Sequence, residues 1–381
     1  MNGIWYYLYA FVIIWILSLG LKKKLEKHNF EINFPIIMWR TTRLRGFIEK
    51  ISNLSPKFWK WFFNIGIIVS YIAMVVMTIM LVQSLSAVFE TPSVSIVLPG
   101  VEVPGSPMYV PFTYGFLAII SVLVIHEFSH GIASRCEKIS IKSIGLLLVA
   151  VLPGAFVEPD EDELEASSKM SKLRVYCAGS VANMSLAAIA LICTVLISFL
   201  IVPAVFYDDG MEITRVMENS PANGVLHEGM VIESFNGQTF NNYTDYSQLI
   251  SSFKPNEDLS IGTNEGTFTV HTTTNPSNSS KGYIGVMSNV HYEIYDSVSS
   301  VYGNDLPWIW FMLIELFKWI FILNLGIGLF NLLPIKPLDG GHMFEILLST
   351  KLPEEYYAPI VRFVSIFLAM VIIVSLVVGF I

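Results

Sequence analysis

Residues Val122 to Arg135 read VLVIHEFSHGIASR, and they set His126, Glu127 and His130 at the end of a largely apolar run that starts at Pro111. An ionisable group within a bilayer costs on the order of 2.5–3.5 kcal/mol and tends to persist only where it functions. Three together call for a chemical reason. On a helix, positions i and i+4 point the same way about 6 Å apart along the axis, so the imidazoles of His126 and His130 can hold one metal ion with Glu127 beside it. This is the H-E-x-x-H arrangement, in which two neutral histidines bind Zn²⁺ and the glutamate takes a proton from a zinc-bound water. The plainer alternative is a set of polar side chains hydrogen-bonded at a helix end, and the membrane location weighs against it.

The rest of the chain agrees with a membrane setting. Of its 381 residues 53% are apolar and 14% charged, and the mean hydropathy is +0.59, far above an ordinary soluble domain. Six apolar stretches are near the length a spanning helix needs: Ile4 to Leu21, Phe62 to Leu85, Pro111 to Val124 running into the motif, Val175 to Val202, Leu306 to Leu333 and Phe363 to Ile381. The first lacks a basic lead and a small-residue cleavage site, and Lys22, Lys23 and Lys24 follow it directly, so it is expected to stay in the bilayer.

Short cytosolic loops carry the excess of Lys and Arg. Ten of the 23 fall in residues 21–61 and six in 131–174, against none in 87–110 and three, beside thirteen acids, in 204–305. The N-terminus and residues 204–305 are therefore expected outside, and the loop after the motif inside. The net charge of −8 argues against nucleic acid as a partner. Cys136, Cys177 and Cys193 show no C-x-x-C spacing, and no disulfide framework is implied.

A catalytic zinc site usually has three protein ligands, so one is still needed. NLLPIKPLDGGH, Asn331 to His342, offers Asp339 at the inner end of the fifth stretch, with His342 as a rival one turn later. Both motifs approach the cytosolic face at the same depth. Pro334 and Pro337 break the helix, while Gly340 and Gly341 allow close backbone approach, as suits irregular backbone around a polar cavity.

With both motifs in view, the chain resembles the site-2 protease family of intramembrane zinc metalloproteases. His126-Glu127-Phe128-Ser129-His130 matches its H-E-x-x-H, and Asn331-x-x-Pro334-x-x-x-Leu338-Asp339-Gly340 matches its N-x-x-P-x-x-x-L-D-G signature. Gly179 and Asn183 in CAGSVANMSLA look like its G-x-x-x-N element, and LPGAFVEPDE, Leu152 to Glu161, resembles the branch that processes membrane-bound transcription factor precursors. The resemblance covers about residues 90–350. It implies that His126, His130 and Asp339 bind zinc, that Glu127 is the general base, and that Asn183 and Asn331 hold the substrate backbone or the developing oxyanion. GLLLVA, Gly145 to Ala150, is too short to span and reads as a buried strand or re-entrant segment; in the family such a segment pairs with the unwound substrate.

From about Asp208 to Val290 short alternating runs replace the long apolar ones. MEITRV reads as a strand, MVIESFNGQTF as a hairpin turned at Asn236-Gly237, TDYSQLISSF as a helix opened by Thr244 or Asp245, and LSIGTNEGTFTVHT as a second hairpin. This small α+β domain looks like a PDZ domain, which would bind a peptide or chain end by strand addition, though it could equally be a spacer. His227, His271 and His291 have no ligand spacing and are expected at its surface. Residues 89–112 alternate and are rich in Pro and Gly, so short extended pieces on the outer membrane face are expected. The acidic VEPDEDELEASSK is a gate or a solvated face. Glu315 and Lys318 form a self-neutralising pair on one helix.

The expected architecture is a multi-pass α-helical membrane protein with about six transmembrane helices and a small extracytosolic α+β PDZ-like domain. Residues 1–86 form two helices and a basic loop, 87–203 with 306–350 the protease core, 204–305 the outer domain and 351–381 a last helix. The expected activity is zinc-dependent hydrolysis of peptide bonds within or near transmembrane segments of membrane proteins, in contact with lipid, releasing a cytosolic fragment. Two other readings are a prenyl-protein type membrane metalloprotease, which would want a glutamate as third ligand, and a non-catalytic zinc-containing binding or transport protein.

Overall fold

The computed structural model describes residues 3–88, 96–103, 106, 108–240 and 242–379. The extended pieces expected over 89–112 lie partly outside these residues. Within 96–103 and 108–111 there is neither helix nor strand.

The elements run in chain order as follows. After α1 (Ile4–Gly20) and α2 (Lys22–Glu26) come β1 (Phe30–Asn33), β2 (Ile36–Thr41), α3 (Arg45–Leu54) and α4 (Pro56–Gln83). Next are α5 (Phe112–Cys136), β3 (Ile141–Val149), β4 (Leu152–Pro159), α6 (Glu161–Ala166), α7 (Lys169–Leu196) and α8 (Val202–Val205). The smaller unit contributes β5 (Phe206–Val216), β6 (Val231–Phe235), β7 (Gln238–Thr239), α9 (Tyr243–Ser252), β8 (Asp258–Thr263), β9 (Gly266–His271), β10 (Thr273–Asn275), β11 (Asn278–Tyr283), β12 (Val286–Ile294) and α10 (Asp296–Tyr302). The chain closes with α11 (Ile309–Phe330), α12 (Asp339–Ser349) and α13 (Glu354–Gly379). Contacts divide it into Met1–Thr194 with Leu313–Ile381, and Val195–Met312.

Five helical stretches among the described residues are long and apolar enough to cross a membrane: Pro56–Ala87, Phe112–Cys136, Lys169–Val205, Leu306–Phe330 and Glu354–Gly379. Their outer faces are apolar, with Ile68, Ile72, Val75 and Ile79 all exposed on α4, as a lipid-facing helix requires. The protein is a multi-pass α-helical membrane protein. The sixth expected span, α1, has only 17 residues, fewer than the roughly 20 that cross a bilayer. Helix α7 starts six residues before the expected Val175, because Lys172 and Arg174 continue it, paired with Glu165 at 2.7 Å and Glu137 at 3.0 Å. Helix α13 likewise starts at Glu354 and carries Pro359 inside it.

The larger unit also holds a four-stranded antiparallel sheet in the order β1-β2-β3-β4. The GLLLVA segment is the second half of β3, paired on one side with β4 and on the other with β2. The N-terminal hairpin β1-β2 carries no motif, yet it occupies one edge of β3. Arg40 on β2 ties its strand to the other three, reaching Glu31 at 3.1 Å, Ser143 at 3.0 Å and Glu158 at 2.7 Å over the Phe156 ring. The acidic loop is not irregular throughout: Asp160 caps α6 by accepting the Glu163 N–H, and this contact helps hold its carboxyl below the usual aspartate range.

The core around the opening motif packs α3, α4, α5 and α7, with Ile48, Phe63, Ile67, Ala133, Cys177 and Leu332 buried together. Helix α11 ends at Phe330, and the chain returns through Pro334 and Pro337 to α12, whose first residue is Asp339. A Cβ on Gly340 would strike the Leu332 carbonyl, and one on Gly341 the Ile335 carbonyl. These two glycines let the loop fold tightly against α12.

In Val195–Met312 the main sheet runs β12-β5-β6-β8-β9, with β7 beside β6. Asn236 and Gly237 turn the β6-β7 hairpin with positive φ values of 50° and 79°, as a primed turn demands. Its core collects Ile213, Ile232, Phe235, Tyr246, Ile261 and Val270. The expected cap of α9 shifts: Asn242 accepts the Asp245 N–H at 2.9 Å, so the helix opens before Thr244. His227 pairs with Glu265 at 3.1 Å and His271 with Asp258 at 2.8 Å, all exposed.

Candidate metal centre

Helix α5 carries His126 and His130 one turn apart, their rings 4.8 Å between centroids. Asp339, at the start of α12, points its Oδ2 at both: each Nε2 is 3.4 Å away. The three side chains are only 13%, 12% and 15% exposed, and one ligand atom from each lies within 4.8 Å of the others. Asp339 Oδ2 is buried and accepts no hydrogen bond. Metal–ligand bonds of about 2.0–2.1 Å in a tetrahedron put neighbouring donors about 3.3–3.4 Å apart, which is the observed Nε2–Oδ2 separation. Two imidazoles and a carboxylate are a donor set that suits zinc.

Helix α7 shapes the space around the rings from one face, through Val175, Gly179 and Asn183 at successive i+4 positions. The Val175 carbonyl accepts from His130 Nδ1 at 2.7 Å, which leaves the Nε2 lone pair free in the neutral ring. At Gly179 a Cβ would stand 2.5 Å from His130 Nε2 and 2.6 Å from His126 Nε2. Any side chain there would enter the space between the histidines. Asn183, fully buried, brings its Nδ2 to 3.2 Å from His126 Nδ1.

Glu127 is not one of the three clustered residues. Its Oε2 accepts the Val157 N–H of β4 at 2.9 Å, which fixes the carboxylate beside α5. The rival His342 is turned away from the cluster and stacks on Tyr176, ring centroids 4.6 Å apart at 7°. Asn331 donates from Nδ2 to the Ile327 carbonyl at 3.0 Å, and its backbone carbonyl accepts the Gly340 N–H at 2.8 Å. It thereby holds the loop next to Asp339. Glu315 and Lys318 form the expected pair at 2.5 Å. The backbone partners Val175 and Val157 were invisible in the sequence, because any residue supplies a carbonyl or an N–H.

The family model of peptidase family M50 matches residues 114–372, from the start of α5 into α13. The chain belongs to peptidase family M50, the site-2 protease family. This M50 chain is accordingly a membrane metalloprotease by family, and the site-2 protease resemblance is the reading that the match supports. It is 27% identical over 339 residues to the uncharacterized protein MJ0971 of Methanocaldococcus jannaschii, covering 88% of this chain and 83% of that one. It is 25% identical over 222 residues to the membrane-bound transcription factor site-2 protease homolog of Arabidopsis thaliana, covering 54% of this chain and 41% of that one. Among solved structures, the PDZ domain of the SdrC-like protein Lmo2051 from Listeria monocytogenes aligns over 21% of this chain and 87% of its own, at 24% identity and a TM-score of 0.19. The PDZ domain of Lin2157 from Listeria innocua aligns over 22% and 97%, at 25% identity and a TM-score of 0.20.

Proposed function

We propose that this M50 chain cuts peptide bonds within or near transmembrane segments of membrane proteins, with His126, His130 and Asp339 as the zinc ligands and Glu127 as general base. The observation that carries the reading is the meeting of the H-E-x-x-H pair with Asp339, three residues from two distant motifs, around a carboxylate oxygen that accepts no hydrogen bond. Zinc would supply a water of lowered pKa and polarise the scissile carbonyl. Glu127, held by the Val157 N–H, would take the proton from that water and return one to the leaving amine. Val175 and Gly179 keep the His130 ring oriented and the space between the rings open. Asn331 is proposed to meet the substrate backbone or oxyanion from the loop that presents Asp339.

The excess of Lys and Arg in residues 21–61 and 131–174 supports a site toward the cytosol with residues 204–305 outside, and in that orientation the released product would be a cytosolic fragment. The small α+β domain is proposed to be PDZ-like and to receive an extended chain end. Glu127→Gln tests the reading. Zinc content is measured beside cleavage of a model single-span substrate in detergent. One zinc in both proteins, with cleavage reduced by about 10²–10⁴-fold in the variant, is expected. Undiminished cleavage by Glu127→Gln would overturn the assignment of the base. A wild type that holds zinc but cuts no single-span substrate would favour a binding or transport role.

A further inference from the structure

The two histidine rings are held in different ways on the side away from Asp339. His130 Nδ1 meets a backbone carbonyl, which can only accept, so that ring carries its hydrogen on Nδ1. His126 Nδ1 meets the carboxamide of Asn183, which can either donate or accept. The Asn183 NH₂ faces Nδ1 at 3.2 Å, and its Oδ1 is buried without a partner. An NH₂ facing Nδ1 belongs to a ring whose hydrogen is on Nε2, the tautomer that has no lone pair for a metal.

We infer that Asn183 is a positioning residue for His126: its Oδ1 accepts the Nδ1 hydrogen and so fixes the tautomer whose Nε2 lone pair faces Asp339. The inference rests on the metal role proposed for His126, and it gives Asn183 a task other than substrate or oxyanion contact. A turn of the amide by about 180° exchanges its oxygen and nitrogen with little change of shape. The unpartnered Oδ1 then gains its donor. Ser180, one turn earlier on α7, also has a buried hydroxyl without a partner. Both rings are then oriented by α7, His130 through Val175 and His126 through Asn183. Such outer partners of metal-bound histidines fix the ring and raise its basicity.

The test is zinc affinity, read by chelator competition on the purified full chain in detergent, for wild type, Asn183→Leu and Asn183→Asp. Leucine fills a similar space but offers no acceptor, and a 10–100-fold loss of affinity, roughly what removing an outer partner costs, is expected. Aspartate offers only acceptors and should keep wild-type affinity. If Asn183→Leu does not fold, Asn183→Ser, too short to reach Nδ1, takes its place with the same expected loss. Wild-type zinc affinity in the leucine or serine variant overturns the inference, and with a raised KM it returns Asn183 to substrate contact. An aspartate variant as weak as leucine also overturns it, because the acceptor would not be what matters. A wild type that takes up no zinc fails the metal reading itself, which is a separate outcome.

Discussion

Gly179→Ala puts the sharpest strain on the proposed centre. The added methyl would lie 2.5 Å from His130 Nε2 and 2.6 Å from His126 Nε2, whereas ordinary contact begins at 3.4 Å. The rings or the helix must give by about 0.8–0.9 Å, roughly four times the ±0.2 Å within which metal–ligand distances are held. The rings cannot simply swing aside, because His130 is tied to Val175 and His126 to Asn183, both on the helix that carries the methyl. Displacing a ligand should cost more than displacing its outer partner, so zinc affinity should fall by at least about 100-fold. The same methyl meets the rings in the metal-free protein, and alanine's better helix propensity, about 1 kcal/mol, offsets part of that cost, so the metal-free protein should lose far less than zinc binding does. Zinc per chain and chelator competition measure the first effect, and thermal unfolding of the metal-free form measures the second. A Gly179→Ala protein with one zinc bound at wild-type affinity would refute the placement of the metal between these rings.

Asp339→Asn should lower zinc affinity by at least about 100-fold, whereas His342→Phe, which keeps the stack on Tyr176, should leave it unchanged; the reverse result in the same competition assay would make His342 the third ligand. Val157→Pro removes the N–H that Glu127 accepts while leaving an edge-strand position that tolerates proline, so cleavage should drop with zinc retained, and equal loss of both would point to collapse of the sheet. Glu137, just past the end of α5, is buried, which raises its carboxyl, but Ser171, Arg174 and Lys60 more than reverse this and hold it below its ordinary 4.5. A depressed carboxyl stabilises fully above its unfolded value and loses that contribution as pH falls through the folded one. Glu137→Gln should therefore destabilise by about 1–3 kcal/mol at neutral pH, with the gap in melting temperature closing only below pH 4.5.

Much of the fold was legible because a bilayer imposes length and polarity on every segment that crosses it. The helix carrying His126 was readable from its apolar run, and the hairpin at Asn236-Gly237 from a dipeptide that positive φ selects. The N-terminal hairpin was not. Phe30–Asn33 and Ile36–Thr41 are short, lie among basic residues, and become strands only because β3, more than a hundred residues later, offers an edge. That pairing is tertiary, and no local pattern announces it. The first residue of α9 was misplaced for a related reason: Thr244, Asp245 and Asn242 can all cap, and the backbone geometry decides among them.

The candidate site divides along the same line. Histidine, glutamate and aspartate are chemically rare within a membrane, so His126, Glu127, His130 and Asp339 stood out by type and spacing alone. What orients them did not, because it is made of groups every sequence contains: the Val175 carbonyl, the Val157 N–H, and the missing side chain of Gly179. Asn183 lies between these cases. Its type and spacing mark it in the sequence, but its part is set by the ring nitrogen beside it and its own unpartnered oxygen. The three titratable groups of the opening motif are thus tolerable in an apolar run for a concrete reason. Each faces a partner on another element: Asp339 and Asn183 for His126, Asp339 and Val175 for His130, and Val157 for Glu127. The cost of placing them in the membrane is offset where these elements meet, and a metal would complete what Asp339 Oδ2 still lacks.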